Sequence, residues 1–188
     1  MKPKSLSDLS LEELWQLFPI VLVPHRDCWA DWYEEEAELL RKELPHARIS
    51  HIGSTAIEAI RAKPTVDILV EVTESGPLEP LKGVMERCGY ICMAESHGRI
   101  DFNKGYTLQG FAERVFHLHL RRAGDNDELY FRDFLRSDVA VAKEYERLKL
   151  DLQKRYKHDR DAYTRNKGDF VKRYTEIGRR LFAGRYDK

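Results

Sequence analysis

His51-Ile52-Gly53-Ser54-Thr55 and Lys63-Pro64-Thr65-Val66-Asp67-Ile68-Leu69-Val70 decide how this chain is read. A short apolar strand, Ala47 to Ile52, runs into a Gly-Ser turn. A stretch of small residues follows, and then a second β-branched strand, Thr65 to Val72, carries an aspartate. A Gly-Ser turn that opens a helix offers backbone N–H groups to a phosphate. An acid on the neighbouring strand can hold the metal that accompanies that phosphate. This places Gly53, Ser54 and Thr55 at nucleotide phosphates and Asp67 at the reacting centre.

Side chains two apart on a strand share a face, so Asp67, Leu69 and Glu71 point one way and Val66, Ile68, Val70 and Val72 the other. A lone acid in an apolar strand costs desolvation unless a cation or hydrogen-bond donors meet it. An arginine or a backbone N–H would serve, as would a metal. Phe116-His117-Leu118-His119-Leu120 sharpens the metal reading. On a strand the two histidines share a face with Cα atoms about 6.8 Å apart, close enough to converge on one ion or to form a hydrogen-bonded pair. The candidate metal set is Asp67, His117 and His119. Imidazole favours Zn, Mn, Fe or Ni, whereas Mg prefers all-oxygen shells. Lys63, beside the Asp67 strand, is the candidate catalytic cation, and Arg99, Lys104 and Arg114 are further candidates for phosphate. Lys149, Lys167 and Lys172 belong either to that site or to the wet face of packed helices. His51 either reaches the turn or is a satisfied strand histidine.

The composition narrows the class. Lys+Arg and Asp+Glu both number 32, giving a formal net charge of +0. A dedicated nucleic-acid binder would show a basic excess, so the expected partners are a nucleotide and a small-molecule acceptor. The apolar stretch Phe18–Val23 is interrupted at Pro19 and closed by Pro24, far too short to span a bilayer. Cys28, Cys88 and Cys92 form no even framework, and no basic segment runs into an apolar one near Met1. The expected location is cytoplasmic.

The chain divides by texture. Residues 1–125 read as an α/β core with N-terminal helices, and 126–188 as a helical extension packed on it. Leu6 to Leu17 reads as a helix, with Ser10 and Glu13 forming a capping box. Residues 20–23 read as a strand, and Asp27 opens a long helix that ends before Pro45. One or two helical turns are expected over 55–61, stopped by Pro64, and a helix over 78–88 ends at Gly89. Residues 90–93, 99–103 and 114–120 read as strands. Turns are expected at Ser75-Gly76-Pro77 and Ala123-Gly124-Asp125. Beyond Asn126 the periodicity is helical over 128–136, 138–156 and 159–182.

His51-Ile52-Gly53-Ser54-Thr55-Ala56-Ile57, Ala62-Lys63-Pro64-x-Val66-Asp67-Ile68 and the His117-x-His119 strand together resemble the GrpB-like family. Phe131-Arg132-Asp133-Phe134-Leu135-Arg136, Glu144-Tyr145-x-x-Leu148-Lys149 and Tyr163-x-x-x-Lys167 resemble its C-terminal pattern. That family is similar to the polymerase-β-type nucleotidyltransferases. The resemblance implies a mixed sheet with flanking helices, a helical C-terminal subdomain, and a divalent metal (Mg or Mn, with Zn suited to the His-x-His). It also implies metal-dependent transfer of a nucleoside monophosphate from a triphosphate to a small acceptor. The superfamily pairs its Gly-Ser turn with a strand reading Asp-h-Asp/Glu, and here Leu69 stands at the second acid. Glu71 shares the face of Asp67 but lies roughly 13–14 Å away along the strand. The departure leaves two alternatives: a catalytically silent nucleotide- or metabolite-binding module, or a single-metal phosphohydrolase built on His117, His119 and Asp67. Glu58-Ala59-Ile60 stands where the family tends to have Pro-Gly-Leu, which predicts a longer helix after Ser54.

Overall fold

Alternation of β-branched and polar residues builds the sheet around two neighbouring strands, β2 (Val66–Val72) and β5 (Gly110–Arg122). The computed structural model describes residues 5–73, 76–96 and 98–187. With β1 (Arg48–Ile52), β3 (Ile91–Ser96) and β4 (Arg99–Thr107), these strands form one five-stranded sheet in the order β1-β2-β5-β4-β3. Only the β2–β5 pair is parallel, so the sheet is mixed. One face buries Val66, Ile68, Val70, Phe102, Phe116 and Leu118 against helices α2 (Cys28–Glu43) and α3 (Leu81–Arg87), through Trp29, Ala37, Leu40 and Met85. Each such aliphatic side chain contributes about 1.5–3 kcal/mol by leaving water, so this face fixes the register.

The opposite face carries Asp67, Leu69 and Glu71 beside His117, His119 and Arg121, because β2 and β5 pair Asp67 with His117 and Leu69 with His119. Four helices belong to this side: α4 (Asp127–Ser137), α5 (Val139–Tyr156), α6 (Arg160–Arg165) and α7 (Gly168–Leu181). Leu129 of α4 seals Ile52 and Leu69, while Phe134, Leu135, Ala142 and Tyr145 close over Ile57 and Ile60.

Several local expectations change. Residues 20–23 make no strand beyond a single bridge from Val23 to Ala62. Their backbone is claimed by α5 instead: Ile20 N–H donates to the Lys157 carbonyl (2.8 Å) and Leu22 N–H to Gln153 Oε1 (2.7 Å). The first helix, α1 (Leu11–Leu17), starts at Ser10 with its capping box formed, and Leu6–Asp8 is a separate 3-10 turn. Ser54–Ala56 is likewise one 3-10 turn that leaves the chain extended at Ile57. No helix therefore opens at the Gly-Ser turn, and the helix-dipole argument for phosphate binding does not apply there.

The hairpin β4–β5 is longer than the apolar runs suggested. A bulge between Lys104 and Tyr106 lets it continue, with Gly105 at φ 88° where a Cβ would strike the Arg114 carbonyl. The helix expected over 159–182 is broken between α6 and α7. The turn expected at Ser75-Gly76-Pro77 begins outside the described residues. Among the described residues no helix is long and apolar enough to cross a membrane.

Candidate functional site

The Gly-Ser turn, the β2 aspartate and one of the two β5 histidines open into the same cleft. Gly53, Ser54, Asp67 and His119 form its floor, and Tyr145 of α5, Thr164 of α6, and Lys167 and Gly168 at the α6–α7 break face them across about 660 Å³. The break between α6 and α7 turns Lys167 toward Asp67. Gly53 has φ 70° and ψ −172°, a combination essentially confined to glycine. A Cβ there would overlap the Asp67 carboxylate, so the turn is shaped around that acid.

Asp67 is held by a chain of hydrogen bonds. Arg160 Nη1 donates to the Tyr106 hydroxyl (3.0 Å), which lies 2.8 Å from His117 Nε2, while His117 Nδ1 lies 3.1 Å from Asp67 Oδ1. Arginine only donates, so Tyr106 accepts from it and directs its own proton to Nε2. Nδ1–H then donates to the carboxylate. This tautomer needs no charge on the ring, and burial, partly opposed by Asp67, lowers the His117 pKa. Burial would raise the Asp67 pKa, but the His117 hydrogen bond first, helped by the surrounding cationic groups such as Lys63, outweighs it and holds the group at about 2. Asp67 is a fixed anion at neutral pH.

Cations surround that anion. Lys149 Nζ, almost wholly buried, lies 3.0 Å from Ser54 Oγ and 2.5 Å from the Arg61 carbonyl. Lys167 Nζ sits 4.6 Å from the centre of the Tyr163 ring, and Lys63 Nζ is 5.9 Å from the same ring. Burial first, then Arg160 and Lys167, bring Lys63 down to about 7, against the pull of Asp67. Burial and Lys167 bring Lys149 to about 7 as well. Lys167 is lowered chiefly by burial. Among the described residues, Lys63, Lys149, Lys167 and Arg160 have no carboxylate within ion-pair distance. The cleft wall carries Lys167 and Lys172, with Arg179 paired to Asp127, and the acids Asp67, Asp127, Glu128 and Glu176. The unpaired lysines gather at its Asp67 end, and that end can receive an anion.

Other candidates are directed elsewhere. Arg99 pairs with Asp125. Lys104 pairs with Glu36 of α2 at 2.8 Å over the Tyr90 and Phe116 rings, and Arg114 with Glu35. None of the three lines the cleft, because Lys104 and Arg114 answer the acidic face of α2 and Arg99 the Asp125 turn. Thr55 is buried, its hydroxyl donating to the Thr65 carbonyl (3.2 Å) and accepting from His51 Nε2 (3.0 Å). His51 stacks on Tyr33 on the α2 side, and burial drives its pKa down to about 4. Glu71, 1% exposed, is neutralised by Arg48 at 2.6 Å and further bonded by the Asn126 side chain and the Gly124 N–H.

The expected metal set is not assembled. Both ring nitrogens of His117 are engaged, by Asp67 and Tyr106. His119 turns its Nδ1 to Asp101 of β4 (2.9 Å), whose carboxylate Arg121 also grips (2.6 Å). Among the described residues no three His, Cys, Asp or Glu side chains converge as metal ligands. A Zn, Mn or Fe ion on Asp67, His117 and His119 does not fit this arrangement, since each ring would first have to leave its hydrogen bond. Elemental analysis of tag-free protein should find less than about 0.1 equivalent of any of these metals, whereas one equivalent lost in His117→Ala would restore the metal site.

Sequence reasoning missed Asp101, Tyr106 and Arg160 and left Lys149 and Lys167 ambiguous. One signal was present: Tyr145-x-x-x-Lys149 and Tyr163-x-x-x-Lys167 each put a ring and an amine on one helical face. Lys149 Nζ lies 4.9 Å from the Tyr145 ring centre, the same relation that joins Lys167 to Tyr163.

A mixed sheet with a Gly-Ser turn and a strand aspartate facing a helical lobe defines a nucleotidyltransferase-type fold. Solved structures agree. Cid1 poly(U) polymerase bound to MgGTP superposes with a TM-score of 0.50 at 12% identity, over 77% of this chain and 45% of that one, a likeness of fold alone. The family model described as GrpB protein matches residues 19–176, and the chain belongs to that family. The crystal structure of conserved protein GrpB from Enterococcus faecalis matches with a TM-score of 0.74 and 29% identity, over 86% of this chain and 99% of that one. Among curated relatives, UPF0157 protein PA4798 of Pseudomonas aeruginosa is 36% identical, over 89% of this chain and 70% of its own. Glutamate-rich protein GrpB of Alkalihalophilus pseudofirmus is 32% identical, over 81% and 91%.

Proposed function

We propose that the cleft binds a nucleotide through its phosphates. The observation that carries this reading is that Lys63, Lys149 and Lys167 all lie close enough to Asp67 to feel its charge, none of them in an ion pair among the described residues, and that Lys167 and the Lys149 partner Ser54 line the cleft. Burying lysines without anionic partners opposes folding; an arriving polyphosphate would remove that penalty. Ser54 and Lys149 would hold one phosphate and Lys167 and Lys63 the next, and the remaining length of the cleft would receive the nucleoside.

Binding without turnover is favoured over metal-dependent nucleotidyl transfer. Leu69, at the position of the second acid, is fully buried among Ile52 and Leu129, so strand β2 gives the cleft Asp67 without the second strand carboxylate that a two-metal site uses for bridging. The transferase reading draws its support from the fold and from the place of Asp67 beside Gly53-Ser54. The two readings separate in one experiment. The protein is incubated with each common nucleoside triphosphate and Mg²⁺ or Mn²⁺, with pooled metabolites as acceptors, while melting temperature and pyrophosphate are followed. Saturable stabilisation, as mass action requires of a ligand specific for the folded state, with no pyrophosphate above an Asp67→Ala control is the expected outcome. Pyrophosphate that depends on Asp67 would establish transfer, and no stabilisation by any nucleotide would remove both readings.

A further inference from the structure

Behind the Tyr106–His117 hydrogen bond lies a second, smaller chamber of about 80 Å³. Phe18, Tyr106 and Phe111 wall it with rings whose centres are 4.6–5.2 Å apart. Pro19, Ile20 and Val21 form another side, and Lys63 and Arg160 bring two cationic side chains to it. A water needs about 10–15 Å³ of such space, so the chamber has room for a group of a few heavy atoms. Two positive charges in a largely apolar wall call for one small anionic head. Arg160 has Tyr106 as its hydrogen-bond partner, and Lys63 Nζ makes only the distant approach to Tyr163 among the described residues. Donors on both therefore remain for a ligand.

We propose that this chamber is a second ligand site, taking a small compound through a carboxylate or phosphate group held between Arg160 and Lys63. The proposal rests on the nucleotide reading only for its biological sense; the chamber has its own walls and can be tested separately. Lys63 stands between the two sites. It lines the chamber, and its charge is felt by Asp67 and Lys149 in the cleft. The second ligand would sit beside the relay that fixes Asp67, in the place of a partner substrate or an effector.

The test uses the intact protein, titrated with acetate and with inorganic phosphate against chloride at matched ionic strength. Melting temperature and calorimetry are the readouts. Acetate or phosphate should bind saturably. Arg160→Met, which removes one charge, should weaken that binding by tenfold or more. Val21→Trp, which fills the chamber from an exposed wall position and keeps both cations, should do the same. Nucleotide stabilisation should persist in Val21→Trp. A response to acetate assigns a carboxylate, and a response to phosphate alone assigns a phosphate monoester. Neither anion binding better than chloride would overturn the proposal. So would phosphate binding that survives Val21→Trp but disappears in Lys149→Met, since it would then belong to the nucleotide cleft.

Discussion

Lys149→Met is expected to abolish nucleotide binding, by a hundredfold or more in affinity, and to raise the melting temperature of the unliganded protein. The first effect follows from position: Lys149 donates to Ser54, which lines the cleft, and to the Arg61 carbonyl behind it. The second follows from burial. The folded-state pKa of about 7, against 10.5 for an ordinary lysine, corresponds to on the order of 5 kcal/mol opposing folding. The unfolded chain holds the proton more tightly, so the penalty is complete below pH 7 and fades as pH climbs toward 10.5. Methionine removes it and loses two hydrogen bonds worth about 1 kcal/mol each. The variant should therefore melt several degrees higher at pH 6 and show no advantage near pH 10. Thermal melts of both proteins across that range check the sign. A variant that melts lower at pH 6 would show that Lys149 is a structural lysine.

Gly53→Ala should act in the opposite sense, destabilising the fold and emptying the site together. The glycine-only backbone conformation costs an alanine about 1–3 kcal/mol, and the added methyl meets the Asp67 carboxylate. Asp67 must then swing away from His117, breaking the chain to Tyr106 and Arg160. A loss of about 3 kcal/mol corresponds to roughly 6–12 °C in a domain of this size. The His117 proton signals in NMR should shift even where the fold survives at low temperature. A melting point within about 2 °C of wild type, with His117 unperturbed, would mean that the turn does not shape the aspartate's seat.

The sheet was legible because its signals are local and periodic. Alternation at Val66–Val72 set both the strand and the face of Asp67, and His117-x-His119 set the same face on β5. The neighbouring register Asp67–His117 needed only a short parallel pairing. Long-range competition erased the rest. Nothing in Ile20–Val23 says that its N–H groups will be claimed by the carbonyl and side chain of helix α5, and nothing in 159–182 marks the break at Gly168 that delivers Lys167. The basic residues show the limit most plainly. Lys104 and Arg114 sit in the strands beside the histidines, yet Glu35 and Glu36 draw them to the other face, while Lys149, Lys167 and Arg160 arrive from the helical half. The two imidazoles are hydrogen-bonded within the protein for a similar reason. Asp101 and Tyr106, neither of which a period reveals, satisfy the rings first.

Calorimetric titration of the wild-type protein with nucleoside triphosphates, in two buffers of different ionisation enthalpy between pH 6 and 9, tests the cationic cleft most directly. Phosphates would recharge Lys63 and Lys149 among Lys167, Arg160, Asp67 and Glu146. Binding should accordingly take up protons near pH 7 and above, and weaken by at least tenfold toward pH 9. A triphosphate that binds with no proton uptake and no loss of affinity across that range, or the failure of every triphosphate to bind, would contradict it.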